Sequence, residues 1–269
     1  MESVVYTREF ASWSASVAPL VRGCGLLPRL ADQQRLLIKP NLVEVLAPPI
    51  TTPVALVAEI IREVRRSYPD LEIMVGEGCG SKDYDTFHVF DQLGYSEMGR
   101  ELAVELIDLN EEEWREREVP QARRWPLIHL PRLVDEVFLL SVPVLKAHSL
   151  AGVTLTLKNM MGLLPPARYQ QGGNWRKAAF HEDIHGSLID LNRARCPDFT
   201  IIDGTIGMQQ AHLWGPHCEP AKNTLAASPD PVAIDAWGAD LLGFGWQAIE
   251  HIRALDGVLG QAAYELVAL

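Results

Sequence analysis

Apolar runs alternate along this chain with stretches whose apolar residues return every third or fourth position. That is the pattern of an α/β protein with a largely parallel sheet. Arg35-Leu-Leu-Ile-Lys39 reads as a buried strand stopped by Pro40-Asn41. Thr51-Thr52-Pro53 offers an N-cap with proline at the first helical position, and Val54, Val57, Ile60, Ile61 and Val64 form the apolar stripe of the helix that follows. Leu71–Val75 is the next strand, ending in the turn Gly76-Glu-Gly-Cys-Gly80. A helix near Phe87–Leu93 and a strand at Val104–Asp108 continue the alternation. Val134–Leu140 is the strongest strand signal and leads through Pro143 to Lys146. Val153–Gly162 is compatible with strand or helix. His181–Arg195 reads as a helix, Phe199–Asp203 and Asn223–Ala227 as strands, Val232–Leu242 as a helix opened by Asp230-Pro231, and Tyr264–Leu269 as a terminal edge strand. The expected architecture is a single α/β domain over residues 1–269, with a mainly parallel, mixed sheet and helices on both faces. Two segments stand apart. Residues 111–132, with Glu111-Glu-Glu-Trp-Arg-Glu-Arg-Glu118 and Arg123-Arg124, read as a solvent-exposed excursion, and residues 165–180, rich in Pro, Gly and Trp, as a loop or lid.

Composition narrows the function classes. Apolar residues make up 48% and charged residues 22% of the 269 positions, the balance of a folded globular chain. Lys plus Arg is 24 against 35 for Asp plus Glu, a net charge of −11, which disfavours nucleic-acid partners and requires any anionic ligand to be held by a local basic pocket. The longest apolar stretch, Val137–Leu145, is about half of the ~20 residues a membrane helix needs, so no membrane partner is expected. The first residues have neither a basic n-region nor an apolar h-region, so a cytoplasmic protein is expected. The four cysteines at 24, 79, 196 and 218 have no C-x-x-C spacing; they read as reduced thiols, with no iron–sulfur cluster motif.

Four of the expected strands end in polar turns: Lys39-Pro-Asn41, Gly76-Glu77-Gly78, Lys146-Ala-His148 and Asp203-Gly204. In open α/β sheets the carboxyl ends of parallel strands line the ligand crevice. If these strands are parallel neighbours, two lysines, a histidine, an asparagine and two carboxylates share one cleft. Lys158-Asn159 sits between apolar flanks, so its lysine must find an anion or lose its charge. Its partner is either a core carboxylate, for which Asp235 is a candidate, or a ligand. Asp230 is explained as the cap of the helix begun by Pro231. The glycine turn 76–80 has neither the P-loop nor the dinucleotide spacing.

His181-Glu-Asp-Ile-His185 matches the H-E-x-x-H pattern, in which two imidazoles one turn apart bind zinc and the glutamate activates a bound water. His212, His217 and Glu219 are candidate third ligands. Gly186, directly after the second histidine, and the α/β alternation argue against the zincin context.

Taken in order, Ile38-Lys-Pro-Asn-Leu42, Thr51-Thr-Pro53, Gly76-Glu77-Gly78, Val142-Pro-Val-Leu-Lys-Ala-His148, Val153-Thr-Leu-Thr-Leu-Lys-Asn-Met-Met-Gly162, Ile202-Asp-Gly204, Gly215-Pro216 and Ser228-Pro-Asp-Pro-Val-Ala-Ile-Asp235 resemble the family of the domain of unknown function 362, from about residue 35 to residue 243. The resemblance implies an association with iron–sulfur proteins, since many members carry an appended ferredoxin segment. This chain lacks that segment. The family motifs coincide with the strand-end residues, which favours one shared pocket.

The expected function is to bind, and in a catalytic version to transform, a small anionic metabolite bearing phosphate or carboxylate. Lys39, Asn41, Lys146, Lys158 and Asn159 are the expected substrate-binding residues, and Glu77, His148 and Asp203 the expected proton movers. A divalent metal at Glu77, Asp203 or His181 is compatible with this reading but not required by it. The rivals are a zinc-dependent hydrolase using His181 and His185, a redox protein associated with an iron–sulfur partner, and a non-catalytic ligand sensor. Cofactor identity and oligomeric state stay open.

Overall fold

The computed structural model describes residues 3–269. Its strands are β1 (Ser3–Glu9), β2 (Arg35–Pro40), β3 (Glu72–Glu77), β4 (Glu105–Asp108), β5 (Trp114–Glu118), β6 (Leu127–Pro131), β7 (Phe138–Val142), β8 (Val144–His148), β9 (Gly152–Thr154), β10 (Phe199–Met208), β11 (Thr224–Ser228) and β12 (Tyr264–Ala268). Ten of them make one sheet in the order β12-β1-β11-β10-β7-β2-β3-β4, with β8 on β10 and β9 on β8. The run β10-β7-β2-β3-β4 is parallel throughout, and β8 is parallel to β10. Only β11, between β1 and β10, and the short β9 run antiparallel to their neighbours.

Both faces of the sheet are covered, as the near-continuous apolar strands require. In β2 the period-2 alternation sends Leu36 and Ile38 to one face, against helices Trp13–Gly23 and Val54–Ser67 through Val17, Leu20, Ile60 and Ile61. Leu37 faces the other way, with Met74 and Leu139, towards helix Ile184–Ala194. Farther along, that second face is closed by helix Pro231–Leu241 and helix Glu250–Leu255 through Val232, Ile234 and Ile252.

Several local expectations are corrected. The Thr51-Thr52-Pro53 cap places Pro53 itself at the N-cap position, with no side-chain cap. The Thr52 hydroxyl is used elsewhere: it accepts from the Asn41 amide (2.8 Å) and donates to the Val142 carbonyl (2.7 Å), tying the ends of β2 and β7 together. Asp230 does cap its helix, accepting from the amides of Val232 and Ala233. Residues 114–131 form the β5–β6 hairpin, which is not solvated on all sides. Ile128 and Leu130 are buried against Ile184 and Leu188 while Arg115 and Glu116 stay outside. Asp190, fully buried, accepts from the amides of Arg123, Arg124 and Trp125 and anchors the hairpin tip to the body. Among the described residues, no helix is long and apolar enough to cross a membrane.

Candidate functional site

β2, β7 and β3 end side by side, and β8 ends just beyond. Pro143 cannot donate to a sheet ladder. The chain breaks there, and β8 leaves the side of β2 to pair with β10. The displaced β8 and the irregular segment that follows it leave a cleft beside the ends of β2 and β3. Asn41, Glu77, His148, Lys158, Asn159, His181 and His212 line it, so seven of the residues singled out from the sequence meet in one place. Lys39, Lys146, Asp203 and His185 do not line it.

Beneath the cleft floor lies a buried ion pair. The Lys39 ammonium donates to Glu77 Oε1 at 2.6 Å, and both side chains are all but fully shielded. Glu77 also accepts from the Gly78 amide (2.8 Å) through Oε1 and from the Leu42 amide (3.0 Å) through Oε2. Both of its oxygens are therefore already occupied by donors. Asn159 completes the network: its Oδ1 accepts from Lys39 Nζ (3.3 Å) and Asn41 Nδ2 (3.1 Å), and its Nδ2 donates to the Lys39 carbonyl and to Ser141 Oγ. This leaves Asn41 Oδ1, in the cleft wall, buried with no partner among the described residues. The glycines of the two motifs make the packing feasible. A Cβ on Gly162 would overlap Glu77 Oε1 and Lys39 Nζ, and one on Gly78 would overlap the Gly162 carbonyl.

Three further lysines surround this floor without a carboxylate partner among the described residues. Lys158 sits on the short helix Thr156–Asn159, whose first amides, Thr156 and Leu157, donate to Asp235 at 2.8 and 3.0 Å. Asp235 is thus consumed by the backbone, and the Lys158–Asp235 ion pair that the sequence offered is not formed. Lys158 has no hydrogen-bond or ion-pair partner among the described residues, and desolvation alone lowers its pKa to about 8. Lys177 reaches the cleft from the 165–180 segment, donates to the Gly78 carbonyl at 2.6 Å and is lowered to about 8, mainly by burial. Lys146 points to the Ile50 carbonyl (2.6 Å); burial and then the nearby Lys158 lower it to about 7. Asp203 lies within β10, because that strand runs on to Met208, and its carboxylate turns back to the Thr205 amide. Burial raises its pKa.

The H-E-x-x-H reading is corrected. His181 ends a short 3-10 turn, Ala178–His181, and His185 lies in a separate helix whose cap is Asp183. His181 joins the cleft, whereas His185 turns away and meets His251, Nδ1 to Nδ1 at 3.0 Å. The two imidazoles therefore do not converge. Among the described residues there is no group of three or more His, Cys, Asp or Glu placed to hold a metal. The third cleft histidine is His212, stacked on His148 with ring centroids 4.0 Å apart. Burial, then the charges of Lys158, Lys146 and His181, lower it to about 3.

Val43, Met161, Trp175 and Leu213 supply apolar wall opposite the polar floor. The sequence reading missed Lys177, whose only local signal is the apolar Ala178-Ala179-Phe180 that follows it.

No curated protein matches the chain. Among solved structures it is similar to the lactate racemase apoprotein from Thermoanaerobacterium thermosaccharolyticum, with a TM-score of 0.54 and 11% identity, covering 91% of this chain. The chain spans 58% of that structure's length. At this identity the likeness is one of fold: a mixed α/β architecture with a mostly parallel central sheet. The family assignment comes from sequence: the model for the Domain of unknown function (DUF362) matches residues 36–240, which hold the ion pair, the unpartnered lysine and every lining residue of the cleft, and the chain belongs to that family.

Proposed function

We propose that the cleft binds a small metabolite bearing a carboxylate or phosphate, with Lys158 and Lys177 as its cationic anchors. The observation that carries this reading is Lys158, a half-buried ammonium lining the cleft with no anion beside it among the described residues. A cation partly withdrawn from water without a counter-ion is unfavourable, and an anionic ligand reverses the sign of that contribution. Asn41 Oδ1 and His212 Nδ1, both buried and unpartnered, add acceptors for a hydroxyl on the same ligand. The solved neighbour named as a lactate racemase agrees with a small carboxylate in this fold. His148, Lys158 and the Asn41–Asn159 pair would polarise an anionic oxygen, while Lys39 acts one layer down by neutralising Glu77. Glu77, with both oxygens occupied, orders the floor instead of moving a proton.

Lys158→Met tests the reading. In the ligand-free protein the substitution removes a charge that costs on the order of 2 kcal/mol to keep desolvated, so the melting temperature is expected to rise by about 4 °C. Oxalate, 2-hydroxybutanoate and phosphate are expected to stabilise the wild type but not the variant, and the carboxylates separate from phosphate in the same thermal-shift series. Undiminished stabilisation of Lys158→Met by all three would overturn the assignment.

Binding is also expected to be proton-linked. Lys146, Lys158 and Lys177 titrate at about 7, 8 and 8 in the free protein, against 10.5 for an ordinary lysine, so at pH 8.5 they are largely uncharged. An adjoining anion raises those values and refills the protons. Oxalate binding at pH 8.5 is expected to take up about one to two protons, and to tighten as pH falls from 9 towards 7. Calorimetry in buffers of different ionisation enthalpy reads the number directly, and proton release would contradict the sign.

A further inference from the structure

Two of the cleft histidines are held by the backbone in opposite tautomers. His148 Nδ1 accepts from the amides of both Leu150 and Ala151, each at 3.1 Å, so its proton must sit on Nε2. His181 Nδ1 lies 3.3 Å from the Lys177 carbonyl, which can only accept, so its proton sits on Nδ1 and its Nε2 carries a free lone pair. The rings are 6.2 Å apart, centroid to centroid, and both line the cleft. One therefore offers a fixed N–H and the other a fixed lone pair to a ligand in the cleft that both residues line. The backbone contacts account for the Nδ1 atoms but leave both Nε2 atoms without a protein partner among the described residues.

We infer that His181 Nε2 is a general base and His148 Nε2–H a hydrogen-bond donor for proton abstraction beside a carbonyl, on an oxo-substituted carboxylate or phosphate. This rests on the proposed anion site and adds the reaction class to it. In the step, the C–H bond next to the carbonyl breaks and its proton goes to His181 Nε2. The electron pair moves onto the carbonyl oxygen, where His148 Nε2–H and Lys158 face the developing charge. Return of the proton, or of a solvent deuteron, closes the cycle with no other reactant. The charged and titratable groups facing the pair are Lys158, Lys146 and His212. They keep both imidazoles neutral, as a base and a neutral donor both require: burial first, and then those neighbours, push His148 far below the usual imidazole value, and burial with Lys158 lowers His181.

The test uses the full chain. Long-range proton–nitrogen correlation spectra of protein labelled with nitrogen-15 in histidine, assigned with His148→Gln and His181→Gln, are expected to show the Nε2–H form for His148 and the Nδ1–H form for His181. The reverse form at either residue overturns the inference. Exchange of solvent deuterium into 2-oxobutanoate and into dihydroxyacetone phosphate is then followed by proton NMR. The two probes distinguish a carboxylate anchor from a phosphate anchor. Enzyme-dependent exchange is expected with at least one probe, falling by about 100-fold or more in His181→Gln while oxalate affinity changes only a few-fold. If oxalate binds but neither probe exchanges, or if His181→Gln exchanges as fast as the wild type, the proton-transfer role is overturned and the anion site stands. If oxalate does not bind, the anion site itself falls, and the inference with it.

Discussion

Glu77→Gln is expected to destabilise the fold by about 3–5 kcal/mol, read as a lower midpoint of urea unfolding. The glutamine's single oxygen can keep the bond from the Gly78 amide, but its NH2 then faces the Leu42 amide donor to donor, so one backbone bond goes as well. The larger loss is the charge that neutralises Lys39, whose ammonium is fully shielded from water and has only Pro40 O and Asn159 Oδ1 as other acceptors. A buried cation with neutral partners alone is the costly half of a broken pair. Adding Lys39→Met to the same chain should recover most of the loss, because the pair is then replaced by two uncharged side chains. If the single variant stays within about 1 kcal/mol of the wild type, the floor is not held by the ion pair in the way its geometry indicates.

Gly162→Ala is expected to be nearly as damaging, at about 3 kcal/mol, although it adds only one methyl group. That methyl would occupy the space of Glu77 Oε1 and the end of the Lys39 side chain. Neither atom can retreat cheaply, since each is held by several hydrogen bonds in a packed interior. The segment carrying Gly162 must therefore lift away from β3, taking Asn159 and Lys158 with it. The expected readout is twofold: a lower urea midpoint and loss of the oxalate-induced thermal shift. A variant with normal stability and normal oxalate response would show that the loop accommodates the methyl group.

Why the sequence disclosed some of the site and not the rest follows from what each residue depends on. Asn41, Glu77 and His148 were legible because each follows an apolar strand directly, and parallel strands bring such ends together. The same rule put Lys39, Lys146 and Asp203 in the cleft too, and the structure leaves all three out of its lining. The rule locates the end of a backbone segment, not the direction of a side chain, and β10 extends five residues past Asp203. Lys158 was legible from its apolar flanks, but the choice of partner was not, because Asp235 was drawn off by two amides that only the folded short helix presents. His181 was singled out for a helical spacing that the structure breaks at Asp183, so it reached the cleft for a reason other than its motif. Lys177 depends on how a glycine-rich excursion folds back, which no periodicity encodes. β1 escaped notice because seven residues with partial burial resemble many surface segments, and its partners β11 and β12 lie more than two hundred positions away.

That last feature bears on how the protein is made. β1 is sandwiched between β11 and β12, with Tyr6 opposite Ala227 and Ser3 beside Tyr264. A growing polypeptide leaving the ribosome therefore carries β1 unmatched until β11 and β12 emerge. All the groups that line the cleft, from Asn41 to Leu213, are synthesised before β11 exists to flank β10. The nascent chain thus holds every lining group of the cleft on a sheet with one raw edge, so the β2–β7–β3 half can take shape around the cleft while β11 and β12 are still being added.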